Sequence, residues 1–311
     1  MKSAANNKRL FAQADYAKSL HGNAQLIHLP HVDGWVVRRS FKGHGVAENI
    51  TTDLSNPYPM FSCLNLQHIK DDIKNLETSS DVSLTLRTDV FDEAIIPKIR
   101  SDFDFIRPFK THYIAELSTP WREFASRNCR RYAAKAEASF QISRVMSPPD
   151  YAASLLKLNQ TILKRVDVAF NVNLTEDILR QLLALPEVVL FEARNDDGLQ
   201  GLALYMRYGD NVYAHTLGVT DQGRSDYAVY GLYGHALDYF QDNARAIDFG
   251  GNPGMAEDSE NSIGSFKRAW SNKTQVSFIC GKVLRPSLYE DLCQSRSVLQ
   301  GDFFPAYRPP Q

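Results

Sequence analysis

Three apolar segments joined by two short polar turns constrain the fold of this chain more than any other stretch. The segments span residues 188–194, 200–207 and 211–219, and the turns between them read NDDG and YGDN. Gly, Asn and Asp in this arrangement typically join neighbouring antiparallel strands. The sequence therefore predicts a three-stranded antiparallel meander.

The pattern after the meander indicates one further repeat of helix and strand. A helix is predicted over 226–243, a strand over 246–249 that runs into DFGG, a helix over 262–270 and a last strand over 275–281. Antiparallel strands followed by helix–strand–helix–strand predict an α+β class, with a mixed, mainly antiparallel sheet flanked by helices.

The first half of the chain partly repeats this order of elements. Residues 82–117 read strand–helix–strand, as residues 246–285 do, and a Lys-Thr pair opens each last strand. We expect two similar domains, residues 1–118 and residues 119–311.

The composition of the chain limits the classes of ligand and partner that we expect it to bind. The 311 residues carry a net charge of −1 and are 43% hydrophobic, so overall charge gives no reason to expect DNA or membrane-surface binding. No segment reaches the ~20 apolar residues of a membrane helix. The four cysteines show no CxxC spacing, and no HExxH, GxSxG or P-loop motif occurs. We therefore expect a cytoplasmic protein with reduced thiols, no metal and no membrane insertion.

Several stretches resemble the GNAT acyltransferase superfamily, in the double-GNAT branch that includes Fem-type aminoacyl transferases. They are RRYAAKAE (130–137), LGVT (217–220), DFGG (248–251) and GSFKRAW (264–270), with YPMFSC, VSLTLRTD and HYIAELS in the first half. The resemblance implies two GNAT-like domains and transfer of an acetyl or aminoacyl group to an amine.

The resemblance assigns the main catalytic role to the Phe-Lys pair, here Phe266 and Lys267. Lys267, placed near the start of the last helix, would stabilise the oxyanion of a tetrahedral intermediate, and Phe266 would position it. The other interpretation of Lys267 is an ordinary solvated helix lysine.

The acyl donor is left open between acyl-CoA and aminoacyl-tRNA. Acyl-CoA-dependent GNAT enzymes carry Arg/Gln-x-x-Gly-x-Gly/Ala before a helix whose N-terminus cradles the pyrophosphate. Here residues 220–231 read TDQGRSDYAVYG, with Arg224 but without the glycine spacing. The departure favours aminoacyl-tRNA, the donor of the Fem-type branch.

Residues at the end of the predicted strand 246–249 have two interpretations. Asp248 could belong to a site, as residues at strand C-termini often do, or could cap the loop that follows. Gly250 and Gly251 could let the chain turn sharply or approach a ligand closely.

The remaining candidates are aromatic, basic or histidine side chains. His215 could be the general base for the acceptor amine, with Tyr213 on the same strand face, or it could be a packed histidine. Tyr227 and Tyr230 share a helix face and could bind substrate or pack in the core. His112, in an edge-like strand, is not counted among the candidates.

A basic segment, which lies in the predicted helix over 121–140 and just after it, could contact phosphates of a nucleotide-linked acceptor or a tRNA end, or could be a solvated face. Its members are Arg127, Arg130, Arg131, Lys135 and Arg144. We place the site between Leu217–Val219 and Asp248–Gly251, with a small-molecule or nucleotide-linked amine as acceptor. The alternative is a non-catalytic GNAT-like module that binds a nucleotide-linked ligand or a partner protein.

Overall fold

The computed structural model describes residues 14–21, 25–42, 50–57, 59–61, 63, 65–166, 174–252, 262–295 and 303–308, and these form eleven strands and eleven α-helices. The strands are β1 (Leu26–Leu29), β2 (Gly34–Lys42), β3 (Ile50–Ser55), β4 (Ser83–Arg87), β5 (Phe105–Glu116), β6 (Gln141–Arg144), β7 (Val188–Asn195), β8 (Gly198–Tyr208), β9 (Asn211–Val219), β10 (Ala246–Gly251) and β11 (Lys273–Val283). The helices are α1 (Ala14–His21), α2 (Ile69–Leu76), α3 (Ile96–Ile99), α4 (Trp121–Phe124), α5 (Arg127–Ser139), α6 (Ala152–Val166), α7 (Glu176–Leu183), α8 (Asp221–Ser225), α9 (Ala228–Phe240), α10 (Ser262–Arg268) and α11 (Pro286–Ser295).

The chain forms two compact units that are not consecutive halves. Unit 1 comprises residues 1–110 and 276–311, and unit 2 comprises residues 111–275. The predicted division into residues 1–118 and 119–311 cuts the chain once, whereas the C-terminal segment belongs with the first unit. As a description of two domains, that division stays a prediction.

Unit 2 contains the predicted meander, which is confirmed. β7, β8 and β9 pair antiparallel in sequence order, and β6 adds to β7 at the edge. Tyr208 pairs with Asn211 across the tight second turn, where Gly209 has a φ of +54°, a left-handed conformation that glycine adopts without steric cost.

At the other edge of the meander, the next strand pairs in a parallel direction. β10 pairs parallel with β9 and antiparallel with β5, so β5 completes unit 2 although it comes from the first half of the chain. The second strand predicted within residues 82–117 is thus the C-terminal part of the longer strand β5, and its partner β10 lies more than a hundred residues away in sequence.

Helices α5 and α9 cover one face of this sheet over a core rich in aromatic side chains. Trp121, Trp270, Phe249, Phe240 and Ala136 are buried in it. The hydroxyl of Ser126 caps α5 by accepting a hydrogen bond from the Cys129 N–H, as serine at this position commonly does. The predicted helix over 121–140 is therefore two helices, because the chain breaks before this cap.

Unit 1 repeats the same order of pairing around its own core. β1, β2 and β3 are antiparallel, β3 and β4 are parallel, and β4 is antiparallel to β11. The core includes Val36, Leu54, Ile73, Leu84 and Cys280. The predicted α+β class, with mixed and mainly antiparallel pairing in each GNAT-like unit, is confirmed.

Candidate active site

β9 and β10 stay paired over only three residues and then part. The register runs Ala246↔Asn211, Ile247↔Val212 and Asp248↔Tyr213, whereas β9 continues to Val219 and β10 continues to Gly251. No pairing joins the C-terminal parts of these two described strands. The two strands therefore diverge at this point, as strands do at many α/β sites.

Lys267 reaches the end of β10. Its Nζ donates a hydrogen bond of 2.7 Å to the Gly251 carbonyl, and the side chain is half-buried. This position differs from the solvated helix lysine that sequence alone also allowed. The expected place near a helix start is wrong, because α10 begins at Ser262 and Lys267 lies in its last turn. A cation there suits the negative end of the helix dipole.

Gly250 and Gly251 leave room for the Lys267 ammonium at the end of β10. Gly250 has a φ of +77°, and a Cβ built on it would stand 3.3 Å from the Lys267 Nζ. A side chain would strain the backbone and crowd the ammonium. Gly251 supplies the carbonyl itself. The interpretation of both residues as backbone devices agrees with this geometry.

Asp248 makes the capping contact that was one of its two interpretations, and it also contacts a histidine. Its side chain is 3% exposed. Oδ1 accepts a hydrogen bond of 2.7 Å from the Gly250 N–H, which caps the turn after β10. Oδ2 lies 2.8 Å from Nδ1 of His112 on the neighbouring strand β5. One carboxylate thus shapes the Gly250–Gly251 backbone and holds an imidazole.

Sequence analysis missed His112. Its alternating strand shows which residues share a face, but only the sheet register brings it opposite Gly251. The partner Asp248 is 136 residues away, so no local spacing could have signalled the pair. The only local feature of His112 in the sequence is its place in an alternating strand, and histidines in such strands are too common for this to indicate a site.

Phe266 packs into an aromatic cluster that fixes α10 on unit 2. Its ring meets Tyr230 and Tyr233 edge-on, each with ring centroids 5.1 Å apart, and meets Trp270 at 6.3 Å. Tyr233 in turn stacks on Phe249 of β10 at 4.8 Å. Edge-to-face pairs at these separations stabilise one mutual orientation. The cluster therefore positions the helix that carries Lys267.

Tyr227, Tyr230 and Arg131 come together around Tyr132, a residue that sequence analysis did not select. Tyr132 and Tyr227 stack with centroids 4.2 Å apart, and Tyr230 meets Tyr132 edge-on at 5.0 Å. Arg131 lies 4.6 Å from the Tyr132 ring centroid, and its Nη2 donates to the Tyr132 hydroxyl at 2.7 Å. These contacts form a tyrosine and cation surface at the start of α9.

Arg224 lies beside this surface in sequence and in space. It belongs to the short helix α8, its side chain is exposed, and its carbonyl accepts a hydrogen bond of 3.2 Å from the Tyr227 N–H. Exposed cations next to aromatic rings suit an anionic ligand. Arg127, Arg130 and Lys135 are also exposed on α5.

His215 occupies a β-bulge. Thr216 pairs with Leu204 and Ala214 pairs with Tyr205, so His215 is the extra residue of β9. Its Nδ1 lies 2.8 Å from the Thr216 hydroxyl. Burial lowers its pKa to about 4, so the ring is neutral at pH 7 and accepts a proton poorly. Tyr213, 3% exposed, lies opposite Asp248 in the register of β9 and β10.

Two other kinds of feature are absent from the described residues. No three His, Cys, Asp or Glu side chains among them come together in a way that could hold a metal ion. None of the described helices is long and apolar enough to cross a membrane.

Comparisons with known proteins bear on the family and the fold of this chain. Residues 123–267 match the family model of the acetyltransferase (GNAT) domain, and the match ends on Lys267. No curated protein matches the sequence. The fold is similar to that of FemX, with 11% identity and a TM-score of 0.63 over 90% of this chain and 94% of that chain.

Two further solved structures share the fold. The C-terminal domain (DUF2156) of a putative lysylphosphatidylglycerol synthetase from Agrobacterium fabrum has 10% identity and a TM-score of 0.61, over 92% of this chain and 91% of that chain. A conserved protein of unknown function from Bacteroides thetaiotaomicron has 9% identity and a TM-score of 0.56, over 88% and 90%. At these identities the similarity shows the fold alone. Residues 123–267 are therefore similar to a GNAT acetyltransferase domain, and the chain shares its overall fold with FemX.

Proposed function

We propose that this protein is an N-acyltransferase that moves an acyl or aminoacyl group to an amine acceptor by direct attack at the end of β10. The observation that carries the proposal is the ammonium of Lys267, which the Gly251 carbonyl holds 2.7 Å away at the point where β9 and β10 part. The GNAT domain match, which runs to this lysine, supports the same reaction class.

Lys267 would stabilise the charge that develops on the acyl oxygen. Preorganised positive charge in a partly buried site needs no rearrangement as an oxyanion forms, and this is commonly the largest single catalytic effect. Phe266 would act through position, since its edge-on contacts with Tyr230 and Tyr233 hold α10 in place. Asp248, Gly250 and Gly251 would shape the strand end to which the ammonium binds.

The structure of residues 220–231 favours an aminoacyl-tRNA donor over acyl-CoA. A glycine loop that cradles a pyrophosphate needs backbone N–H groups directed at the ligand. Here the Gly223 N–H donates to the Thr220 hydroxyl at 2.9 Å, and the Arg224 N–H donates to the Thr220 carbonyl at 2.9 Å. A Cβ on Gly223 would stand 2.4 Å from the Gln200 carbonyl oxygen, so this turn is packed against β8. These amides are used within the protein.

The tyrosine and cation surface around Tyr132 would hold the anionic end of the donor. Tyr227, Tyr230 and Arg131 contact Tyr132, and Arg224 lies at the same helix start. Arginine matches phosphate oxygens geometrically, and aromatic faces bind bases. The acceptor would be a small-molecule or nucleotide-linked amine, and the reaction would take place in the cytoplasm, where cysteines stay reduced.

Transfer assays with the two donor classes test this function. The protein is incubated with acetyl-CoA or with charged tRNA in the presence of polyamine, amino sugar and nucleotide-linked amine acceptors, and products are identified by mass spectrometry. The proposal expects an amine that gains one aminoacyl or acetyl mass, with the larger yield from charged tRNA. If both donors remain unreacted with every acceptor while a ligand still raises the melting temperature, the protein is a non-catalytic binding module instead.

A further inference from the structure

The His112–Asp248 pair has the arrangement of a base and the group that orients it. The two atoms involved, Nδ1 and Oδ2, are 2.8 Å apart. The carboxylate is nearly buried, with 3% of its side chain exposed, whereas 17% of the imidazole is exposed. The acid therefore faces the protein interior and the ring is the member that a ligand can reach.

The pairing decides which ring nitrogen carries the lone pair. An ionised carboxylate only accepts hydrogen bonds, so Nδ1 of His112 carries the N–H that Asp248 accepts. In the neutral ring the lone pair then lies on Nε2. The second oxygen of Asp248 is fixed by the Gly250 N–H at 2.7 Å, so the carboxylate cannot turn without breaking the strand-end turn.

His112 and Lys267 both lie beside the backbone of Gly251. Gly251 lies opposite His112 in the pairing of β10 with β5, and its carbonyl accepts the hydrogen bond from Lys267. A cation suited to an oxyanion and a nitrogen suited to accept a proton thus flank one residue. Acyl transfer to an amine requires both groups at the same reaction centre.

We propose that His112 is the general base of the reaction and that Asp248 is its positioning residue, an assignment that rests on the proposed function. Nε2 takes a proton from the acceptor nitrogen as that nitrogen forms a bond to the acyl carbon. The bond between the acyl carbon and the leaving oxygen or sulfur then breaks, and the leaving group departs with the electron pair. The imidazolium returns the proton to it, so atoms and charge balance.

This assignment replaces His215 as the candidate base. Burial lowers the pKa of His215 to about 4, and it fills a bulge of β9. The efficiency of a general base falls when its conjugate acid is this strong relative to the working pH. Nδ1 of His112 lies against the carboxylate of Asp248, whereas Nδ1 of His215 lies against the hydroxyl of Thr216.

The main test compares His112→Gln with His31→Gln. His31 gives a matched control, because its Nδ1 lies 3.0 Å from the buried Asp72 in unit 1. His112→Gln is expected to lower kcat by about 10²–10⁴-fold with donor KM within about threefold, and imidazole added to His112→Gly restores part of the rate. His31→Gln is expected to keep the wild-type rate. A kcat for His112→Gln within threefold of wild type overturns the assignment.

The pH profile separates His112 from its ionisable neighbours. These are Asp248 on β10, Tyr213 on β9, Lys267 on α10 and, on β5 itself, Lys110, whose pKa burial lowers to about 8. His112→Gln is expected to abolish the acid limb of kcat/KM and to leave any limb near pH 8 in place. An acid limb that persists in the variant contradicts the assignment.

Asp248→Asn tests the positioning role. The amide nitrogen of asparagine would donate to Nδ1 and force the proton onto Nε2, which then cannot act as a base. We expect kcat to fall by at least about tenfold, and nitrogen NMR of labelled histidine to show the His112 proton moving from Nδ1 to Nε2. A proton already on Nε2 in the wild type refutes the inference even without an assay. A wild type that transfers no acyl group refutes the proposed function instead.

Discussion

Replacing Lys267 by methionine removes the ammonium and keeps most of the side-chain volume. Loss of one preorganised oxyanion donor lowers kcat by about 10²–10³-fold in enzymes of known mechanism. A unit charge about 4 Å from an oxyanion is worth about 4 kcal/mol at an effective dielectric constant of about 20, or about three powers of ten in rate. Because Lys267 is half-buried and its hydrogen bond to Gly251 is 2.7 Å long, we expect kcat to fall by about 10²–10³-fold.

Single-turnover transfer at saturating donor is the appropriate assay, since it reports the chemical step apart from product release. The lost hydrogen bond should also lower the free energy of unfolding by about 1–2 kcal/mol, measured by urea denaturation. Lys273→Met is the matched control: its Nζ donates at 2.7 Å to Glu116 in unit 2, and both side chains are exposed. If Lys267→Met transfers at a rate within threefold of the Lys273→Met control, the oxyanion role is refuted.

Three further predictions concern the same unit. Gly250→Ala should lower both kcat and the free energy of unfolding, the latter by about 1–2 kcal/mol, because its φ of +77° strains a side chain and the new Cβ meets Lys267. Gly209→Ala, at a φ of +54° with open space around it, should lower stability without lowering kcat. Burial lowers the pKa of His215 from 6.5 to about 4. The free energy of unfolding, measured by urea denaturation, should therefore be highest above pH 6.5 and should fall by at most about 3 kcal/mol as the pH is lowered toward 4. His215→Gln should show a flatter pH profile. Arg224→Gln should raise the donor KM by about three- to tenfold with little change in kcat, and added salt should reduce that difference.

Local sequence signals predicted the half of the fold that is built from neighbours in sequence. The turns NDDG and YGDN specify hairpins by their own backbone preferences, so the meander β7–β9 followed from the residues themselves. β10 and α10 followed in the same way, and the helix predicted over 226–243 is α9. The short helix α8 before it was not predicted; Tyr227, whose φ of +68° is left-handed, separates the two.

Long-range pairing was outside the reach of sequence patterns. β5 completes unit 2 and β11 completes unit 1, and alternation within a strand does not say which partner it joins. β3 and β6 were not predicted at all: each is short, and β6 pairs with β7 alone.

The residues of the candidate site also differ in whether local sequence features could predict them. Lys267, Asp248, Gly250 and Gly251 were predicted because a strand end and a Phe-Lys pair are local features, and the structure brings them together. His112 was missed because its relation to Asp248 exists only in the sheet register. The roles of all these residues stay predictions until transfer is measured.

The proposed reaction centre is tested most directly by a crystal structure with a bisubstrate analogue, in which an acceptor amine is joined to an acyl adenosine that mimics the donor end. We expect the acyl oxygen within about 3 Å of the Lys267 Nζ and the amine nitrogen within about 3.2 Å of Nε2 of His112. Its adenosine should lie against the surface formed by Tyr132 and Tyr227. An analogue bound with its carbonyl away from the Gly251 strand end would contradict both assigned roles.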